Sequence, residues 1–475
     1  MRIEDLIVMS NLTDKIDKFF RITERNSTIQ QEIRGGIITF LAMAYILIVN
    51  PSILSGAAAG YSWEALFTAT ALAAIIASIL MGVYSRFPVA LAPGMGVNVF
   101  LAYTICGPLG MGFSFPQGLM VVFISGILFL ILTVTGLRVK ILDSIPGSMK
   151  LAISAGIGFF IAVVGLYNGG IITHGDGSAL TLGNIADPGV LLSIFCVLVT
   201  VALWFKGWWG AVIVGMVLTW ALGLIMGAMD VTSVLVLDGI YLIPQWTSDV
   251  MSSPDFSLVF ALFTDFEMFE SSLFVSFIAA IVSLFVVDMF DTAGTLIGVG
   301  TEAGMIDKDG HVIDGEKALA CDAVGTIAGA LVGTSTTTSF IESTTGIAAG
   351  ARTGLMSVVV GLMFVVALFF SPFFGTFTSA CTVGALVLVG ILMIKSVKKI
   401  EWDDPVIAGM AFVTIFLMGL CGSITDGIAF GIFFYVLGMA ITGRVKEITP
   451  MIWGLTVVFL VYFFVNGIVI PNGWL

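Results

Sequence analysis

The sequence predicts an all-α polytopic membrane protein with about fourteen transmembrane segments in a seven-plus-seven inverted repeat. Three observations carry this. First, 58% of the 475 residues are hydrophobic and 11% are charged, mean hydropathy is +1.11, and runs of roughly 20 apolar residues, enough to cross ~30 Å of hydrocarbon, recur from Gly35 onward. Second, Lys and Arg fall in alternate connections. Third, the third segment of each half is short, polar at its centre and rich in small residues, the paired pattern of interrupted helices at a transporter site. No stretch is long and polar enough to form a separate soluble domain.

Taken in order, residues 1–33 carry Arg2, Lys15, Lys18, Arg21 and Arg25 among acids and lack the apolar core and cleavage site of a signal peptide, so this segment is expected to stay cytoplasmic. Leu12, Ile16 and Phe19 or Phe20 share one helical face, suited to lying along the inner membrane surface. The first repeat, 34–228, contains candidate spans near 35–54, 63–84, 88–105, 117–137, 148–168, 188–205 and 208–228. An acidic extracellular connection, 229–272, follows. The second repeat, 273–442, contains spans near 273–300, 316–333, 335–350, 353–372, 377–396, 405–422 and 425–442. Residues 443–475 include a last apolar run over 450–470 whose topology the sequence leaves open.

Arg34, Arg86, Arg138, Lys206, Lys308, Arg352, Lys398 and Arg444 lie in alternate loops, which the positive-inside rule makes cytoplasmic. Seven spans therefore run from inside to outside, and the next seven start with the opposite polarity. The net charge of −12 reflects the scarcity of Lys and Arg and carries no inference about substrate. Five cysteines without C-x-x-C spacing indicate neither a metal site nor a disulfide framework, and no cofactor or nucleic-acid partner is expected.

Three stretches put polar groups at membrane depth, where an unsatisfied group costs several kcal/mol unless it lines a cavity or is buried in protein. Gly333–Gly350 reads GTSTTTSFIESTTGIAAG, with Glu342 as a midplane carboxylate. The bland alternative is a packing helix whose hydroxyls bond back to the preceding turn. Pro93-Gly94-Met95-Gly96-Val97-Asn98 offers glycines for a break and close backbone approach, and Asn98 as both donor and acceptor. On a helix Asp288, Asp291, Thr292 and Thr295 stand at i, i+3, i+4 and i+7 and share a face; two carboxylates one turn apart cannot both ionise cheaply, so one is expected to carry a proton. Asp322 reads equally well as a structural partner of a neighbouring helix, and Asp426 as a helix cap. With no basic residue among these groups, the site favours a neutral polar solute.

Five motifs, GGIITFLAMAYILIVNP at 35–51, APGMGVN at 92–98, FVVDMFDTAGTLIGV at 285–299, DAVGTIAGALVGTSTTTSFIESTTGIAAGARTGL at 322–355 and SITDGIAFG at 423–431, together span nearly the whole membrane region. In them the chain resembles the AzgA-like branch of the nucleobase:cation symporter-2 family, the adenine/guanine/hypoxanthine permeases. The resemblance implies a core of spans 1–4 and 8–11, a gate of spans 5–7 and 12–14, interrupted spans 3 and 10, and proton-coupled uptake of a purine nucleobase by an elevator-like movement of the core. It implies Gly96, Asn98, Asp288, Asp291 and Glu342 as substrate-binding positions, with Glu342 and Asp288 in proton coupling; Phe290 and Phe340 are candidates for stacking on the base. Val97 and Val99 depart from the family's frequent G-M-G-L-N-A. A multi-pass protein of the cell membrane, in contact with bilayer lipid and with a homodimer left open, is the expectation. Rival readings are an anion exchanger of the related sulfate-permease architecture, a cation channel lined by the acids, and an intramembrane aspartyl hydrolase, the last weakened because Asp288 and Asp291 share one helix turn.

Overall fold

The computed structural model describes residues 13–106, 111–137, 145–175, 178–208, 210–231, 233, 236–237, 240–267, 271–305, 312–313, 315–421 and 423–464. Among them, nine helices are long and apolar enough to cross a membrane, and four shorter apolar helices accompany them. The protein is a helical, multi-pass membrane protein.

The first span, Ile29–Leu54, contains one irregular turn. Helix α1 (Ile29–Met43) gives way at Ala44 and Tyr45 to α2 (Ile46–Leu54), which contains Pro51. α3 (Trp63–Leu80) is capped by Ser62. Strand β1 (Leu91–Pro93) leads into α4 (Met95–Val99), which continues as a wider π-helical turn over Phe100–Ile105. α5 (Phe115–Val134) opens with a capping box made by Ser114 and Gln117. α6 (Gly147–Asn168), an outer hairpin of β2 (Ile172–Gly175) and β3 (Ser178–Leu182), α7 (Pro188–Phe205) and α8 (Ala211–Ala228) complete the first half.

A short hairpin of β4 (Val236–Leu237) and β5 (Ile240–Tyr241) lies in the connection. The second half comprises α9 (Ser271–Glu302), α10 (Gly315–Val332), β6 (Thr337–Ser339), α11 (Ser343–Ala348), α12 (Gly354–Ala367), α13 (Ser379–Ile394), α14 (Pro405–Cys421) and α15 (Ile424–Ile441). A last helix, α16 (Pro450–Phe464), runs back along α15, with Phe463 against Phe430 at 5.3 Å. Residues 465–470 of the expected final segment lie outside the described residues. The all-α expectation needs one amendment: short paired strands occupy the broken segments and outer connections.

The helices pack as two groups. α12 lies on α3 and α1, while α10 lies on α5 and α3; separately, α6 packs on α13 and α14, α13 on α7, and α14 on α15. These contacts come in matched pairs: α3 with α12 answers α10 with α5, and α7 with α13 answers α14 with α6. Close approach at the α6–α13 crossing depends on glycine: a Cβ on Gly390 would sit 2.6 Å from the Gly158 carbonyl oxygen.

Two polar devices hold the ends. On the side carrying Arg86 and Arg352, Glu32 of α1 is fully buried and accepts backbone N–H groups of Arg352 (2.7 Å), Thr353 (3.2 Å) and Met356 (3.3 Å), capping α12 from another span. Arg25 donates to the Arg86 carbonyl at 2.8 Å. At the opposite end, Thr378 donates to the Leu242 carbonyl at 2.6 Å, and the Phe260 N–H to the Leu331 carbonyl at 2.8 Å. Nearby, Asp265 accepts from Ser114 (2.5 Å) and Gln117 (2.9 Å). The connection between the halves is thereby laid across the ends of several spans.

Candidate functional site

The site starts from two extended segments that pair with each other. β1 and β6 are antiparallel, with Leu91 opposite Ser339, Ala92 opposite Thr338 and Pro93 opposite Thr337. The pairing continues through the Gly94 N–H to the Thr336 carbonyl and the Phe340 N–H to the Ala90 carbonyl, each 3.0 Å. Non-helical backbone at this depth must find partners in protein, and each broken segment supplies them to the other. Side chains finish the accounting: Ser78 bonds both backbone groups of Leu91 (2.8 and 2.9 Å), Ser343 accepts from the Ala90 N–H at 3.0 Å, and Thr326 donates to the Thr337 carbonyl at 3.3 Å. Thr337–Ser339 is therefore a strand and Thr334–Thr336 non-helical, and the packing-helix alternative for these residues is set aside.

A cavity of about 360 Å³ opens where these segments meet the second helix group. One wall is Tyr45, Gly94, Met95, Gly96, Thr295 and Thr338–Glu342; the other is Ser154, Ile157 and Ile161 of α6 with Val389, Leu392 and Met393 of α13. Among the described residues, no Lys, Arg or His lines it. The helices that follow the two strands, α4 and α11, both begin at its edge. Gly96 is required by the narrow gap between groups, since a Cβ there would lie 2.9 Å from Ile157 Cγ2.

Of the residues singled out from sequence, Gly96, Phe340 and Glu342 line this cavity. The Glu342 carboxyl is held by the Tyr45 hydroxyl, which donates to Oε1 at 2.6 Å. Asn98 is fully buried behind the wall, where its Oδ1 accepts from the Ser335 hydroxyl and its Nδ2 reaches the Pro93 carbonyl at 3.4 Å. Asn98 thus pins the two broken segments together. Asp288 is fully buried on α9 and does not line the cavity; Thr295, two turns along the same face, does. The side chains of Asp291 and Phe290 lie outside the described residues. Asp322 accepts from Thr292 Oγ1 at 3.0 Å, the interhelical role its sequence allowed. At α15 the cap is Ser423, which accepts the Asp426 N–H at 3.2 Å, so Asp426 occupies the first turn and not the cap.

Sequence reasoning missed Tyr45 and the whole opposite wall. Ser154, Ile157 and Ile161 recur at i, i+3 and i+7, a spacing that any packed helix shows. Tyr45 carried a faint signal, a hydroxyl-bearing side chain inside an apolar span, with nothing to connect it to a residue 297 positions later.

A family model described as "Permease family" (Xan_ur_permease) matches residues 30–430. The chain is 42% identical to the guanine/hypoxanthine permease PbuG of Bacillus subtilis, over 94% of this chain and 98% of that protein. It is 37% identical to the adenine permease AdeQ of Escherichia coli, over 93% and 94%. In fold it is similar to the transmembrane domain of a cyanobacterial bicarbonate transporter, BicA, with a TM-score of 0.59 and 16% identity over 84% of this chain and 97% of that one. With a broken-segment cavity between two helix groups, and a family match extending over most of its length, the chain belongs to this permease family.

Proposed function

We propose that this permease takes up purine nucleobases, adenine, guanine and/or hypoxanthine, across the cell membrane together with protons. The observation that carries the reading is the cavity: polar hydroxyls, backbone and one carboxyl face a helical wall of Ile, Val, Leu and Met with one serine, with no basic group among the described residues. A neutral planar heterocycle needs this combination, an edge to hydrogen-bond and two faces to pack. An anion needs a positive partner that this wall does not offer, which weighs against the exchanger reading. The relatives named as guanine/hypoxanthine and adenine permeases agree in substrate class, and as permeases they argue for transport over hydrolysis.

In this reading Glu342 takes the ring N–H and exocyclic groups of the base, the Gly94–Gly96 backbone takes another edge, and Phe340 packs on a face. Asn98 keeps the two broken segments in register, and Asp288, with Asp291 beside it, serves the core from behind the wall. Protonation of Glu342 or Asp288 lowers the cost of moving the core past its apolar seal, which couples base to proton. The group built on α1, α3, α5, α10 and α12 is the moving core and the group built on α6, α7, α13, α14 and α15 the gate. Fourteen spans in a seven-plus-seven inverted repeat, with spans 3 and 10 interrupted and the N-terminus cytoplasmic, complete the account; a homodimer is compatible with it.

The test is uptake of radiolabelled adenine, guanine, hypoxanthine, xanthine and uracil by cells lacking their own base carriers, with and without a protonophore. Purine uptake that the protonophore abolishes is expected. No uptake of any base by well-expressed protein would reject the reading.

A further inference from the structure

Tyr45 stands at the irregular turn of the first span, between α1 and α2, with backbone angles φ −57° and ψ −23°. Its side chain is 1% exposed, yet its hydroxyl reaches the cavity wall and lies 2.6 Å from Glu342 Oε1. That length is typical of an O–H donor on a carboxylate oxygen. An ionised carboxylate only accepts, and a phenol carries one hydrogen, so Tyr45 is the donor in this pair.

We propose that Tyr45 is a positioning residue that divides the two oxygens of Glu342 between two tasks. Oε1 is retained by the phenol throughout, and Oε2 is left as the oxygen that meets the base N–H and carries the transported proton. The arrangement follows from torsional freedom: the last torsion of a glutamate is broad and roughly two-fold, so without a fixed partner either oxygen would face the cavity. With Oε1 occupied, a proton arriving on the carboxyl sits on Oε2 and the phenol bond is undisturbed. The protonated Oε2 keeps acceptor capacity, so base and proton are held together at one oxygen in a defined orientation, instead of sampling two. This rests on the reading that Glu342 binds the base.

Tyr45→Phe deletes only the hydroxyl and keeps the ring. In uptake of whichever purine the wild type transports, KM is expected to rise about tenfold, the scale of one lost hydrogen bond to a charged group, with maximal velocity per molecule and melting temperature little changed. In a Glu342→Gln background the same substitution is expected to change equilibrium base binding less than about twofold, because its target carboxylate is gone. A structural tyrosine would instead lower abundance and melting temperature and leave KM alone. If Tyr45→Phe is not recovered as monodisperse protein, 3-fluorotyrosine at position 45 keeps the shape and changes the donor; KM must then move with the fluorine. An unmoved KM in the recovered variant, or equal effects in both backgrounds, overturns the proposal. Wild-type binding by Glu342→Gln would instead reject the underlying assignment of Glu342.

Discussion

Removing Glu32 should cost more stability than removing any exposed acid of this chain. Its carboxylate is fully buried and accepts three N–H groups at the start of α12, at 2.7, 3.2 and 3.3 Å. These are donors that a helix cannot satisfy internally. Each bond to a charged acceptor contributes about 1.5–3 kcal/mol net, and the three are not additive, because they share one group. Glu32→Ala takes the acceptor from the Arg352 and Thr353 N–H groups and leaves the Met356 N–H only the Thr353 carbonyl, so the expected loss is about 3–5 kcal/mol, the range for breaking a buried charge interaction. Glu32→Gln keeps one acceptor oxygen and should lose roughly half of that. The assay is thermal unfolding of purified, detergent-solubilised protein followed by loss of the monodisperse peak. Glu64→Ala is the control, since Glu64 is exposed in the first turn of α3. If Glu32→Ala and Glu64→Ala melted together, the capping argument would fail.

Two further outcomes follow from the same structure. Gly96→Ala should raise KM for the transported base by about tenfold, because its Cβ would press on Ile157 across the cavity, and Ile157→Ala in the same chain should recover part of the loss; a neutral Gly96→Ala would show that the gap is not limiting. Asp404 accepts from Arg444 at 2.5 Å and from the Val406 N–H at 2.8 Å. The Arg444 hydrogen bond, aided by backbone N–H groups at the start of α14, holds its carboxyl below the usual carboxylate range. A lowered folded value stabilises above the unfolded value of about 4 and is lost as pH falls through the folded one. Asp404→Asn should therefore melt below wild type at neutral pH, with the gap closing below about pH 4; a gap constant down to pH 3 would contradict this.

How much of this was legible in the sequence depended on the kind of signal. Spans such as 148–168 and 188–205 were readable because lipid demands long apolar runs whatever their neighbours. The break at Thr334–Ser339 was readable because so many hydroxyls cannot face lipid, although the strand at Thr337–Ser339 needed its partner at Leu91–Pro93. Glu342 and Gly96 were found as isolated oddities in apolar surroundings. Ser335 on Asn98 and Tyr45 on Glu342 join residues 237 and 297 positions apart, and no local pattern records such pairings. The apolar wall of Ile157, Ile161, Val389 and Leu392 has the periodicity of ordinary packing, so its role appears only when the opposite wall is in place.

The most direct test of the account is protection of a thiol in the cavity. With the native cysteines replaced, a Ser154→Cys protein that still transports would be labelled by a maleimide with and without adenine, guanine, hypoxanthine, uracil or bicarbonate. Ser154 lines the cavity opposite Glu342, so the transported purine should slow labelling in proportion to its occupancy while uracil and bicarbonate do not. Labelling at one rate in every case, with uptake intact, would place the base elsewhere and contradict the assignment of this cavity as the site.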